Sequence, residues 1–279
     1  MIQSTSTYSQ SQGLRLLESA VQEFGPILTL GQLKPIAQAQ GLTGTHLSSI
    51  INLLSDAGWI EIIKRGTYVV KSPLYSGEIP AFAIAAALVQ PAAISHWSAC
   101  AHHGFTTQVP QMVQASTPRN VVTPEMRKGK ADSPRGRAIW KAYGYEFEFV
   151  HVKERQFWGF EKMWVSSWQQ VNITDLERTA LDLIARPGIF GGVSAAIEIL
   201  ENALSQIQVN RLIDYALQYR TGSVIKRLGW ALEQLGVSDP DLERLRSYPV
   251  KRYYALDPSL DDDAPRNTRW RVLENLRRS

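Results

Sequence analysis

The residues of this chain whose types and spacing could do chemistry fall first in the stretch 30–71, LGQLKPIAQAQGLTGTHLSSIINLLSDAGWIEIIKRGTYVVK. Leu47, Ile50, Ile51 and Leu54 recur at the i, i+3, i+4, i+7 spacing of one helix face. Thr45, His46, Ser48, Ser49 and Asn52 then fall outside that face. Small hydroxyls, an imidazole and an amide are hydrogen-bonding groups of the kind that contact base edges and phosphates in a major groove. Lys64 and Arg65 stand at the tip of an expected hairpin, where they could follow a phosphate backbone or reach a minor groove. The same pattern would also serve a helical hairpin used for protein contacts, with two solvated loop cations.

The elements that must position these residues can be read around them. Leu14, Leu17, Val21 and Phe24 have helical spacing and predict a first helix over 13–24, stopped by Gly25-Pro26. A second helix is expected over 31–40, then a break at Gly41-Leu42-Thr43. Thr43 is a suitable N-cap for the helix that carries Leu47, since its hydroxyl can accept an orphan backbone N–H, and it joins the candidate DNA contacts. Gly58 closes that helix, and strands are expected over 59–63 and 67–70, joined by Lys64-Arg65-Gly66. Helices, tight turn and basic-tipped hairpin in this order predict a winged helix-turn-helix. Up to Pro80 the chain holds five basic and five acidic residues, so attraction for DNA would depend on local placement and not on bulk charge.

Further along, the segment 119–141 carries Arg119, Arg127, Lys128, Lys130, Arg135, Arg137 and Lys141 against Glu125 and Asp132. With Pro124, Gly129, Pro134 and Gly136 it reads as an exposed basic loop, either a surface for an acidic partner or a solubilising stretch. Thr174-Asp175-Leu176-Glu177 reads as a capping box with Thr174 at the cap, opening a helix that buries Leu176, Ala180, Leu183 and Ile184. Asp175, Arg178, Thr179 and Asp182 share its other face, expected as a solvated stripe with an Arg178–Asp182 pair or as a polar partner site. His96, His102 and His103 have poor spacing for one metal and read as core or cap histidines. Asp261-Asp262-Asp263 lies between Pro258 and Pro265 and reads as a surface loop. Phosphate-binding glycine loops, GxSxG, HExxH and kinase motifs do not occur, and no catalytic residue, metal or cofactor is expected.

The 279 residues suffice for one large or two ordinary domains, with 44% hydrophobic and 20% charged residues and a net charge of +4. That balance permits a nucleic-acid partner without requiring one. The lone Cys100 excludes an internal disulfide and, with the polar first dozen residues, favours the cytoplasm. The most apolar run, 79–89, is about half of the ~20 residues that span a bilayer, so no membrane association is expected. Residues 72–80 read as a linker. The expected architecture is α+β: a winged helix-turn-helix over 1–78, then a larger α+β domain over 79–279 with strands early and helices late. In the second domain, strands are expected over 111–116, 145–152, 162–166 and 171–174, and helices over 193–207, 210–219, 224–235 and 241–246.

The winged-helix start, ISHWSACAHHGFTTQVP from Ile94, VNITDLERTALDLIARPGIFGGV from Val171, RLGWALEQLG from Arg227, and the late LDP with NTRWRV together resemble an AbiEi-type antitoxin. The resemblance spans nearly the whole chain. It implies a type IV toxin–antitoxin system linked to phage defence, with a regulator that represses its own operon through the N-terminal domain. It also implies a C-terminal domain that antagonises a nucleotidyltransferase-type toxin. On this reading Arg127, Lys128, Lys130, Arg135 and Arg137, and the Asp175–Arg178–Asp182 stripe, are candidates for the partner surface. Operator DNA bound by a homodimer on an inverted repeat would be the other partner. A regulator without a toxin partner, or a divergent metal-dependent nuclease using Asp175 and Asp182, are the alternatives.

Overall fold

A computed structural model describes residues 2–71, 74–129 and 136–276. The chain opens with helix α1 (Ile2–Phe24), strand β1 (Ile27–Thr29), helices α2 (Leu30–Ala39) and α3 (Gly44–Asp56), strands β2 (Ile60–Lys64) and β3 (Thr67–Val70), and helix α4 (Ala81–Leu88). The strands form an antiparallel sheet in the order β1-β3-β2. Three residues are too few to show an alternation, so β1 has no periodic signal. Helix α1 begins eleven residues before the expected 13, in a mostly polar stretch without an apolar stripe. Leu47, Ile50, Ile51 and Leu54 of α3 are buried against Leu16, Leu17, Ala20 and Leu33, at about 1.5–3 kcal/mol per side chain before chain entropy is charged against it.

The start of α3 corrects a local expectation. Thr43 occupies the N-cap position of α3 but makes no side-chain cap hydrogen bond. The full capping box lies one helix earlier, where the Thr29 hydroxyl accepts from Gln32 N–H and the Gln32 amide oxygen accepts from Thr29 N–H. Gly58 does take the left-handed conformation past the end of α3, at φ +75°. The expected linker is partly packed: Leu74 and Tyr75 lie against the core of the first helices, and Ile79 is buried.

The chain continues through β4 (Ala93–Ile94), α5 (His96–His102), β5 (Val113–Thr117), α6 (Pro124–Arg127), β6 (Arg137–Ala142), β7 (Tyr145–His151), β8 (Phe160–Trp164) and β9 (Gln170–Thr174). These strands follow the order β6-β7-β5-β4-β9-β8, with β4 antiparallel to β5 and parallel to β9. Helices α7 (Leu176–Ala185), α8 (Val193–Ala203), α9 (Val209–Tyr219), α10 (Gly222–Gln234) and α11 (Asp239–Arg246) follow. Short strands β10 (Tyr254–Ala255), β11 (Arg266–Asn267) and β12 (Val272–Leu273) close the chain in a sheet of order β10-β12-β11. The fold is α+β, and from residue 93 the strands β4–β9 precede the helices α7–α11, as expected.

Compactness divides the chain differently from the 78/79 boundary. One unit comprises 1–92, 119–149 and 162–172; the other comprises 93–118, 150–161 and 173–279. In the first unit, the segment 119–149 is tied to the β2–β3 hairpin, since Glu61 accepts from Tyr143 N–H at 2.9 Å and also pairs with Lys71. In the same unit, Gly25 (φ +79°) leaves room for the Trp168 ring, which a Cβ there would meet at 2.6 Å. The second unit has its own core, built from α5 and α7–α10 around Leu181, Leu183, Leu212, Leu228 and Trp270. Gly229 is required there, because a Cβ would lie 2.0 Å from the Trp270 ring.

Candidate nucleic-acid interface

Thr43, Thr45, His46, Ser48, Ser49 and Asn52 are all exposed. They line the side of α3 opposite the buried Leu47–Leu54 face, on a helix about 20 Å long at 1.5 Å per residue. The Ser48 hydroxyl donates back to the Gly44 carbonyl and that of Ser49 to Thr45, each at 3.2 Å. Both hydroxyls keep acceptor capacity for an outside donor. The first turn of α3 carries no acidic side chain, so its positive dipole end is left open to an anion.

The hairpin beside α3 divides the work of its two cations. Arg65 is exposed in the β2–β3 turn, where Gly66 takes φ +73°. Lys64 is not a free tip residue as expected. Its ammonium donates to the carbonyls of Ala87 at 2.9 Å and Leu88 at 3.0 Å, the last carbonyls of α4, and burial lowers its pKa. The separation of 24 positions between Lys64 and Leu88 hides this contact from any local reading.

The basic segment is not one loop either. The Thr123 hydroxyl accepts from Met126 N–H and caps α6, and Arg127 lies in its last turn. Arg119, Arg127 and Lys128 are exposed. Arg137 is in β6 and its Nε is 2.5 Å from the carboxylate of buried Glu148. Lys141, also in β6, pairs with Glu146 on β7 at 2.6 Å, and that hydrogen bond raises its pKa. A charge bound to an internal carboxylate is a poor partner contact, so Arg137 leaves the candidate set. Lys130 and Arg135 lie outside the described residues. A cleft of about 660 Å³ is lined by the hairpin tip, the end of α4, residues from 119 to 127, and Trp140, so Arg65 and Arg127 share one site. Arg119, one of the seven cations of the expected basic segment, joins it.

The expected solvated stripe on α7 is overturned, because Asp175, Arg178, Thr179 and Asp182 are all buried. The N-cap is Asp175 and not Thr174: its carboxylate accepts from Arg178 N–H at 2.8 Å, while Thr174 ends β9 and bonds Thr179. The other Asp175 oxygen accepts from Arg211 at 2.8 Å and the Tyr215 hydroxyl at 2.7 Å. Arg178 Nε donates to Asp182 at 3.0 Å, and Nη1 donates to the carbonyls of Gln156 and Trp158 at 2.6 and 2.7 Å. The guanidinium sits 4.9 Å over the Trp158 ring and 5.6 Å over Tyr219. Glu177, buried as well, accepts from Gln208 N–H at 2.9 Å. These groups fasten α7 to the chain before β8 and to α9. Gly159 (φ +79°) permits it, since a Cβ there would meet Arg178 at 2.9 Å.

His96 and His103 are held in structural contacts. His96 is fully buried at φ +53° with Nδ1 2.7 Å from the Ser95 hydroxyl, and His103 Nε2 donates to the Thr174 carbonyl at 2.7 Å. Burial pushes the Cys100 thiol far up, so it is inert as a nucleophile. Among the described residues, no three or more His, Cys, Asp or Glu side chains form a group that could hold a metal ion, and no helix is long and apolar enough to cross a membrane. Asp261, Asp262 and Asp263 are exposed in a loop.

Comparison with known proteins finds no matching family model and no matching curated protein. Among solved structures, the chain is similar to the RV2827C protein from Mycobacterium tuberculosis, at a TM-score of 0.63 and 14% identity over 94% of this chain and 91% of that one. At that identity the likeness concerns the fold alone.

Proposed function

We propose that the chain is a DNA-binding antitoxin of a type IV toxin–antitoxin system. Its N-terminal residues, about 1–78, act as a winged helix-turn-helix that represses its own operon. The remainder antagonises a nucleotidyltransferase-type toxin without catalysis, cofactor or membrane attachment. The observation that carries the DNA-binding half is the exposed Thr45, His46, Ser48, Ser49 and Asn52 surface of α3, backed by a buried apolar face and flanked by a basic hairpin. A major groove about 12 Å wide admits such a helix. A single such helix reads one half-site, so two copies on an inverted repeat supply the affinity. The toxin-antagonising half rests on the sequence resemblance to AbiEi-type antitoxins.

The nuclease alternative would need carboxylates open to a metal and water. Asp175 and Asp182 are instead engaged by Arg178, Arg211 and Tyr215, which favours a structural role. The test is a mobility-shift assay with the DNA upstream of the chain's own reading frame, joined to a co-expression assay with the neighbouring gene product. Sequence-specific binding and rescue of growth are expected. Absence of any duplex binding would remove the DNA reading, and a neighbouring gene without a toxic product would leave a regulator with no toxin partner.

A further inference from the structure

The cleft beside the β2–β3 turn is lined by Lys64, Arg65, Arg119 and Arg127 and by no aspartate or glutamate. The Lys64 ammonium donates to the α4 carbonyls, and Arg65, Arg119 and Arg127 each present exposed surface. Like charges gathered in one cleft repel one another, and a polyanion laid across them removes that repulsion. Arginine forks also match phosphate oxygens two at a time. Ile62 and Val122, each about half exposed on the same wall, offer apolar surface to sugar carbons between phosphates. The capped α6 holds Arg127 on a defined element, not on a loose tail.

We infer that this cleft is a phosphate track that extends duplex contact from the β2–β3 hairpin onto Arg119 and Arg127. The inference rests on the DNA-binding reading above and adds a contact that the helix-turn-helix order does not contain. It assigns Arg119 and Arg127 by their place in the cleft, which Arg137 and Lys141 do not line.

The experiment measures full-length protein binding to a random-sequence duplex and to the duplex upstream of its own reading frame, across a range of salt concentrations. Each phosphate contact contributes about 0.9 to the slope of log affinity against log salt, so Arg119→Gln with Arg127→Gln is expected to flatten it by about 2 on both duplexes. Hydroxyl-radical protection of the upstream duplex should shorten on one flank. Arg119→Lys with Arg127→Lys should retain most of the slope. Lys141→Gln with Lys153→Gln removes the same charge elsewhere and should leave the slope unchanged. Circular dichroism and melting of each variant separate loss of contact from loss of fold. An unchanged slope and footprint, with Asn52→Ala still altering recognition, overturns the track and leaves the DNA reading standing. Loss of toxin protection with DNA binding intact also overturns it, and assigns the cleft to a protein partner. No binding of the wild-type chain to either duplex removes both readings together.

Discussion

Helices α3 and α7 look alike in sequence and are opposite in the folded chain. Each pairs an apolar face with a row of polar residues at helical spacing. In α3 the polar row, Thr45 to Asn52, faces solvent. In α7 the polar row, Asp175 to Asp182, is buried, because α7 packs against α5, α8, α9 and α10 while α3 meets neighbours on one side only. The side chains differ accordingly. The α3 serines bond within their own helix, whereas the α7 groups reach Gln156, Trp158, Arg211 and Tyr215. A polar stripe on a helix therefore signals an exposed face only when nothing distant comes to meet it.

Substitutions sharpen this contrast, and the largest effect belongs to Arg178→Ala. It leaves the Asp182 carboxylate buried without its ion pair and two backbone carbonyls without their donor. Breaking a buried pair in this way costs about 3–5 kcal/mol, read as a lower denaturation midpoint. A melting curve matching wild type would return the stripe to the status of a surface. On α3, Asn52→Ala should change discrimination between operator variants by about 1–3 kcal/mol, measured by competition binding, while leaving the fold within about 0.5 kcal/mol. Equal weakening on all sequences would mean that Asn52 touches backbone only. The helix starts give a smaller difference. Asp175→Ala removes a cap hydrogen bond and the acceptor for Arg211 and Tyr215, and should cost at least the ~0.5–2 kcal/mol of a lost cap, whereas Thr43→Ala removes no side-chain cap bond and should stay within about 0.5 kcal/mol in urea titrations.

Acid titration adds a further comparison. Helix α8 has Gly192 at its N-cap, with no side chain to cap it, and Asp257 supplies the acceptor for Val193 N–H from 64 residues away. Burial alone would raise the pKa of Asp257, but hydrogen bonds from Ser259 and Val193 and the nearby Arg227 charge hold it below its ordinary 3.8. A carboxyl with a depressed folded pKa stabilises fully above the unfolded pKa, and that contribution is lost as pH falls through the folded one. Asp257→Asn should therefore narrow the stability gap to wild type below about pH 4, measured by melting across pH. A gap that is constant down to pH 2 would remove the carboxylate from the explanation.

What was legible in the sequence was what repeats locally. The period of Leu47, Ile50, Ile51 and Leu54, the glycine stop at Gly58 and the two strands after it all survive in the structure. The late helices were found within a few residues of their ends, because each has an apolar face to bury. What was not legible depends on chain that is far away in sequence. Lys64 reaching Leu88, Arg119 and Arg127 sharing a cleft with Arg65, and Arg178 reaching Gln156 are all contacts that no window of ten or twenty residues contains. The cap of α7 was misplaced by one residue because Thr174 and Asp175 are both good caps, and the length of β9 decides between them.

The interleaving of the two compact units has a consequence for synthesis on the ribosome. The first unit begins at the N-terminus but takes its last residues from 162–172. At about 5–20 residues per second, the roughly 80 residues between 92 and 172 take on the order of 4–16 s to emerge. During that interval, Gly25 waits for Trp168, and Glu61 waits for the Tyr143 amide. The nascent chain thus carries an early helical core whose remaining partners have not yet been translated.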